Sequence, residues 1–380
     1  MNHKRPSFVN FPIPFDHPYT IPTLVMTVGA SALLYYSLQA QHEQDLKEAI
    51  RLRVISKRKH CKRQEDKFAS LKIEKQFVNP FSEWTWPTLS WKDSFLYWLG
   101  INNNNQLPKI EQDLVASLPM FKPDIDQIKH TQKTSFTWLG QSTCLFSLEG
   151  LRILTDPIFE HKDRLRPPPC QLEELKGCVD IILISHHHFD HLDEKTALQF
   201  GNEVTWYIPL GLREWFVKRG IDNVIELDWF QELHHKGRPD ILIACVPAMH
   251  SSGHAFEKDE SLWCSFVIKS KSDRLFFCGD TGYVPELFDA IRDLYAPFTL
   301  AALPIGTFEP RRLLKSNHMN PEEAVKAHHH LGSPFTVGIH WGTFMKSNEP
   351  YLLPRQQVAH LSKEGQFITT AFGKTLFIQE

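Results

Sequence analysis

Val179-Asp180-Ile181-Ile182-Leu183-Ile184-Ser185-His186-His187-His188-Phe189-Asp190-His191-Leu192-Asp193 joins an apolar, strand-like run directly to a cluster of imidazoles and carboxylates. Read as H-x-H-x-D-H, the cluster offers His186, His188, Asp190 and His191 as metal ligands. Alternation in an extended backbone sends residues 186 and 188 to one side. Asp190 and His191 can then swing to a second ion as the chain turns into a helix, so two neighbouring cations are the natural reading. Neutral imidazole and carboxylate without thiolate suit Zn²⁺ in an open hydrolytic site better than a closed structural zinc, which favours cysteine. The plain alternative is a solvated His-rich loop, and the strand-like run just before the cluster speaks against it.

Three more apolar runs each end in a possible ligand: Ile241 to Val246 leads to His250, Leu275 to Cys278 leads to Asp280, and Phe335 to Ile339 leads to His340. Strand-like segments recur near 135–155, 179–185, 204–208, 223–228, 241–246, 262–279, 299–304, 335–340 and 367–371. Helical segments fall near 211–219, 285–295, 321–331 and 354–364. This mix predicts an α/β fold, and no repeat of the solenoid kind is present.

The ligand pattern resembles the metallo-β-lactamase superfamily. Longer strings resemble, within it, the N-acylphosphatidylethanolamine-hydrolysing phospholipases D: Thr137-Trp138-Leu139-Gly140, Leu154-Thr155-Asp156-Pro157-Ile158-Phe159, Gly279-Asp280-Thr281-Gly282-Tyr283, Asn320-Pro321-Glu322-Glu323-Ala324-Val325 and Ile339-His340-Trp341-Gly342-Thr343-Phe344. The likeness covers roughly residues 75 to 375. It implies an αββα sandwich of two mixed sheets flanked by helices, with two Zn²⁺ as cofactors. His186, His188 and His250 would bind one ion, Asp190, His191 and His340 the other, and Asp280 would bridge them. The implied reaction is hydrolysis of N-acyl phosphatidylethanolamine to phosphatidic acid and an N-acylethanolamine, by attack of a hydroxide shared between the ions.

Asp190 and Asp280 are thus expected to be catalytic. His318, in Asn317-His318-Met319-Asn320-Pro321, matches a family histidine that contacts the substrate phosphate, so phosphate binding or proton delivery is its implied role. Phe189 stands where the family has a tyrosine facing substrate. Gln141 stands where it usually has histidine, and the loop after His250 lacks the tryptophan and arginine of the mammalian enzymes. His254 competes with His250 as a ligand, but His250 ends the apolar run and follows Pro247-Ala248. Asp156 and Asp193 are candidates to hold ligand imidazoles, with Asp193 alternatively a helix N-cap. His328, His329 and His330 read as a helix end, where cations suit the dipole.

Composition bounds the remainder. A formal net charge of −2 gives no basic field for nucleic acid. Seven cysteines without C-x-x-C spacing, several in apolar runs, read as reduced and buried. The first 75 residues are read as a membrane-associating segment and 76–380 as the catalytic domain. Ile21 to Leu38 carries no charge over eighteen residues, near the lower bound of about 17 for a spanning helix. The basic residues from Arg51 to Arg63 would keep the catalytic domain on the cytosolic or mitochondrial-matrix face. A helix lying on or packed against the domain is the alternative reading, and a cleaved signal peptide is disfavoured by the basic segment that follows and by the cysteine usage. Exposed tryptophans between about 78 and 130, including Trp91 and Trp98, are read as core-covering or membrane-dipping. The expected partners are a phospholipid membrane and the lipid substrate, with homodimerisation left open. The competing functions are a hydrolase of the same superfamily on a soluble substrate (lactonase, thioesterase or phosphodiesterase) and a catalytically silent membrane scaffold.

Overall fold

Strand-forming runs dominate the chain from Ser135 onward, and in this computed structural model they build two mixed sheets of seven strands each. The structure describes residues 18–85, 105–160, 162–253, 259–362 and 365–378. After a short hairpin of β1 (Lys72–Ile73) and β2 (Gln76–Phe77), the first sheet comprises β3 (Ser135–Gly140), β4 (Thr143–Leu148), β5 (Leu151–Thr155), β6 (Ile181–Leu183), β7 (Thr205–Pro209) and β8 (Val224–Leu227). The second comprises β9 (Glu232–His235), β10 (Arg238–Val246), β11 (Ser265–Lys269), β12 (Arg274–Phe277), β13 (Leu300–Pro304), β14 (Thr336–Ile339) and β15 (Phe367–Ile368). The last strand, β16 (Thr375–Phe377), returns to the first sheet beside β3.

Both sheets follow one plan. Strands β3, β4 and β5 pair antiparallel, then β5 through β8 run parallel. Likewise β9 through β12 pair antiparallel and β12 through β15 run parallel. Parallel neighbours bring several strand C-termini to one edge, where α/β proteins place their ligands.

The period of two decides what each strand buries. Ile181 and Leu183 point into the core shared by both sheets, with Phe136, Phe146, Ile243, Phe266 and Phe276. Their neighbours Ile182 and Ile184 join a second cluster with Trp206, Ala197, Phe200 and Phe216, which includes the flanking helices Glu194–Phe200 and Arg213–Val217. A strand covered on both faces reads as an unbroken apolar run, which is why 179–184 shows no alternation. The α/β sandwich expected from the sequence is the observed fold.

The helices end where their sequence says. Asp193 accepts from the Thr196 amide at 2.8 Å and so caps Glu194–Phe200. Asn320 and Glu323 form a reciprocal capping box for Pro321–Leu331, and Gly332, at φ +61°, closes it in the left-handed conformation. His328, in the last turn of that helix, is buried, and its Nδ1 lies 2.8 Å from Thr336 Oγ1. Burial, with help from the neighbouring His329, pushes its pKa down to about 4. The unfolded chain therefore takes up a proton below about pH 6.5 that the folded one refuses until about pH 4. Stability attributable to His328 is present above pH 6.5 and lost as the pH falls through this window. A His328→Gln chain should show a shallower loss of urea-midpoint stability over the same window, with chelator present in both series.

The chain divides into two compact units, one ending at Val54 and the other starting at Ile55. In the first, the described residues from Thr20 lie in a helix that continues to Arg58. Its apolar side chains from Ile21 to Leu38 are exposed on all faces, Leu24, Val25, Met26, Leu33 and Tyr35 among them. The helix is long and apolar enough to cross a bilayer. In the second unit, Trp84 is buried against Phe81 and other core residues, while Trp91 and Trp98 lie outside the described residues.

Candidate metal centre

Every ligand named from the sequence leaves the end of a strand or the turn after it. The run from His186 to His191 follows β6, His250 follows β10, Asp280 follows β12 and His340 follows β14. The two sheets thereby deliver seven donors from remote parts of the chain to one place. The described residues gather as His186, His188 and His250 in one group and Asp190, His191 and His340 in a second. His254 lies outside the described residues.

Within the first group His186 Nε2 stands 2.8 Å from His188 Nδ1, which stands 3.3 Å from His250 Nε2. Within the second, His191 Nε2 and His340 Nε2 are 3.3 Å apart, and each is 3.7 Å from Asp190 Oδ2. One atom joins the groups: Asp280 Oδ2 lies 3.0 Å from His340 Nε2, 3.2 Å from His191 Nε2 and 3.8 Å from His250 Nε2. Its partner Oδ1 is buried without a hydrogen bond among the described residues, as is His318 Nδ1, which is 3.7 Å from Asp280 Oδ2. Donors on one ion at bond lengths of about 2.1 Å sit roughly 3.4 Å apart in a tetrahedron. The observed spacings and the orphaned atoms therefore fit the binding of divalent metal.

A second ring of contacts fixes each imidazole. Asp156, at the end of β5, accepts His191 Nδ1–H at 2.7 Å and the Ser185 hydroxyl at 2.6 Å through Oδ2, and the Ser185 amide at 2.7 Å through Oδ1. Ser185 Oγ lies 2.9 Å from His186 Nδ1, and His250 Nδ1–H donates to the Asn317 carbonyl at 2.9 Å. These contacts engage Nδ1 of His186, His191 and His250 and turn Nε2 of each toward the centre, the nitrogen a ligand of this orientation would use. Asp156 thus holds the His191 imidazole directly, whereas the hydrogen bonds of Asp193 among the described residues cap its helix. Ser185 and Asn317 escaped the sequence reading because a hydroxyl and a backbone carbonyl carry no spacing signal.

Protonation follows the same division. Burial pushes His186 well below its ordinary value, His188 to about 3 and His250 to about 4, so the first group is neutral. Burial also acts to lower His191 and His340. The surrounding carboxylates, Asp280 foremost, outweigh it, holding His191 well above its ordinary value and His340 up at about 9. Burial works to raise Asp190 and Asp280, yet the imidazoles beside them hold both carboxyls below the usual range. Without a cation the second group therefore stores protons, and metal uptake there must release them.

Backbone strain concentrates at this edge. Gln141, Asp156, Thr307 and His340 all have positive φ, between 36° and 64°, where non-glycine residues persist only under strong constraint. Gly279 has φ +60°, and a Cβ there would meet Ser185 Cβ at 2.6 Å and Oγ at 2.9 Å. Gly279→Ala should displace Ser185 from Asp156 and cost about 2–4 kcal/mol from strain and overpacking together. A urea-unfolding comparison of the metal-free chains reads that loss.

The remaining sequence candidates fall into place around the centre. His318 faces it, its ring centroid 5.1 Å from that of His250 and 5.5 Å from that of His340. Phe189 lies partly exposed, with Lys346 Nζ 5.0 Å from its ring centroid, and contributes no donor atom. Gln141, noted in the sequence only as a departure from the family, is buried between Asp190 and His340, its Nε2 2.7 Å from Asp190 Oδ2 and from His340 Nε2. His328 and His330 bond to Thr336 and Asp289, in keeping with a helix end.

Residues 151–341 match the family described as Beta-lactamase superfamily domain. Two solved structures share the fold: Igni18, a metallo hydrolase from Ignicoccus hospitalis (TM-score 0.54, 22% identity, covering 65% of this chain and 99% of that one), and isothiocyanate hydrolase from Delia radicum gut bacteria (0.53, 19%, 64% and 98%). N-acyl-phosphatidylethanolamine-hydrolyzing phospholipase D 1 of Caenorhabditis elegans is 34% identical over 79% of this chain and 92% of its own length. The mitochondrial N-acyl-phosphatidylethanolamine-hydrolyzing phospholipase D of Saccharomyces cerevisiae is 32% identical over 79% of this chain and 74% of its own. With about a third of the aligned residues identical over 79% of its length, the chain belongs to the N-acyl-phosphatidylethanolamine-hydrolysing phospholipase D family of the metallo-β-lactamase superfamily.

Proposed function

We propose that this metal-dependent hydrolase is a di-zinc phosphodiesterase that cleaves N-acyl phosphatidylethanolamine to phosphatidic acid and N-acylethanolamine. The observation that carries the reading is the single oxygen, Asp280 Oδ2, within 3.8 Å of ligand atoms of both donor groups. The names of the two relatives supply the substrate class. His186, His188 and His250 would hold one ion, Asp190, His191 and His340 the other, and Asp280 both. Zn²⁺ at these positions supplies an acidified water and positive charge for the phosphate oxygens.

The chain's own residues do the remainder. Asp190 and Asp280 stay ionised and hold the donors in register. His318, kept neutral by burial, offers its unpaired Nδ1 edge to a phosphate oxygen or to the departing oxygen of the ethanolamine. Water adds to phosphorus, the P–O bond to the N-acylethanolamine breaks, and that oxygen takes the proton. Phe189, beside Lys346, would flank the entering head group.

The exposed apolar stretch Ile21–Leu38 would bring the enzyme to its lipid as a membrane span, with the catalytic unit on the cytosolic or matrix side favoured by the basic residues after it. The test is hydrolysis by the purified full chain of N-acyl phosphatidylethanolamine in vesicles, beside bis(p-nitrophenyl) phosphate and a lactone, with zinc measured in the same sample. Release of N-acylethanolamine at the highest kcat/KM is expected. Preference for the lactone would overturn the phosphodiesterase assignment, and preference for the soluble diester the lipid one.

A further inference from the structure

The Gln141 side chain is where the histidine and carboxylate set leaves something over. Its backbone is pinned three ways: the Gln141 amide donates to Thr343 Oγ1 at 2.7 Å, and its carbonyl accepts from Trp138 Nε1 and the His340 amide, each at 2.9 Å. A strained residue, at φ +51°, so firmly held cannot move its carboxamide far. The end of that carboxamide lies 2.7 Å from two atoms assigned as donors to the same ion, Asp190 Oδ2 and His340 Nε2. Its other end, Oε1, is buried with no hydrogen-bond partner among the described residues.

In this orientation the amide N–H points at the lone pair with which His340 would bind metal. A half-turn of the amide exchanges nitrogen and oxygen without changing its shape. With no cation present, the turned amide would set its oxygen 2.7 Å from the Asp190 carboxylate, which repels it. A cation between them reverses the preference, because a carbonyl oxygen is a good neutral donor to a divalent ion. The other members of this centre, Asp190 Oδ2, His191 Nε2, His340 Nε2 and Asp280 Oδ2, stand 3.0 to 3.7 Å apart where contacts are measured. The amide end lies beside one edge of that set.

We propose that the Gln141 carboxamide oxygen is a fifth donor to the ion held by Asp190, His191, His340 and Asp280. This rests on the two-ion reading of the site. It makes that centre one of three oxygens and two nitrogens, against three nitrogens and the shared Asp280 oxygen at the other. Oxygen donors favour harder ions, so the centre containing Gln141 is the one at which manganese or iron(II) competes best with zinc.

Cobalt(II) titration of the metal-free full chain tests this, since four-coordinate cobalt(II) absorbs visible light more strongly than five-coordinate. Gln141→Met should bind the second equivalent about tenfold or more weakly, with stronger absorption per ion, while the first equivalent is unchanged. Gln141→Glu, which keeps an oxygen in place, should retain the second ion and the weaker absorption, and it decides the matter if the methionine chain fails to fold. A wild type that takes up two ions while Gln141→Met matches it in spectrum and affinity overturns the Gln141 assignment alone, and so does Gln141→Glu losing the second ion. A wild type that takes up only one cobalt overturns the two-ion reading and this inference with it.

Discussion

Asp280→Asn should lower kcat for the proposed lipid hydrolysis by roughly a thousandfold, the equivalent of about 4 kcal/mol of transition-state stabilisation. The substitution keeps the size and the hydrogen-bonding reach of the side chain, so the change isolates charge. Asp280 is nearly fully buried, and its Oδ2 lies within 3.8 Å of His191, His250, His318 and His340. The carboxylate is a contact shared by both donor groups, and a neutral amide in its place would leave the two proposed cations mutually less screened. The expected signature is loss of turnover together with weaker binding of one ion, measured as kcat beside zinc stoichiometry. Full turnover with two zincs bound would sink the bridging role.

Much of this site could be read before any coordinates, and the reason is local. H-x-H-x-D-H places four donors within six residues, and the apolar strand before it fixes where they emerge. His250, Asp280 and His340 were legible because each follows an apolar run, so a rule about strand ends found them. The contacts that fix the ligands were not. Ser185 acts through a hydroxyl 2.9 Å from His186 Nδ1, and Asn317 through its backbone carbonyl, to His250. Neither uses a residue type that announces metal chemistry. Gln141 illustrates a different limit: the sequence exposed it as a departure, but only the fold shows that it ends between Asp190 and His340 rather than in solvent. The strained φ of Gln141, Asp156 and His340 likewise depends on the backbone crossing from strand to turn at the sheet edge, which no periodicity encodes.

Asp156→Asn should weaken metal binding at the Asp190, His191 and His340 centre by about 10- to 100-fold and the other centre, which it reaches only through Ser185, by less. The carboxylate accepts three hydrogen bonds: the Ser185 amide on Oδ1, and the Ser185 hydroxyl and His191 Nδ1–H on Oδ2. An asparagine that keeps its oxygen on the Ser185 amide turns an N–H towards His191 Nδ1. The imidazole must then accept there and carry its proton on Nε2, the nitrogen that would bind the ion. Turning the amide the other way restores the His191 contact but sets its N–H₂ against the Ser185 amide, leaving a buried donor unmade at about 1–3 kcal/mol. Either way the unfolding midpoint falls and the second ion is lost first, which separates this residue from a general contribution to folding. Asp193→Asn makes the same chemical change at a helix cap, where asparagine serves nearly as well, and should leave both ions in place. Titration of the three metal-free chains with zinc against a chromogenic chelator measures the difference, and an Asp156→Asn chain holding two ions at wild-type affinity would remove Asp156 from the site.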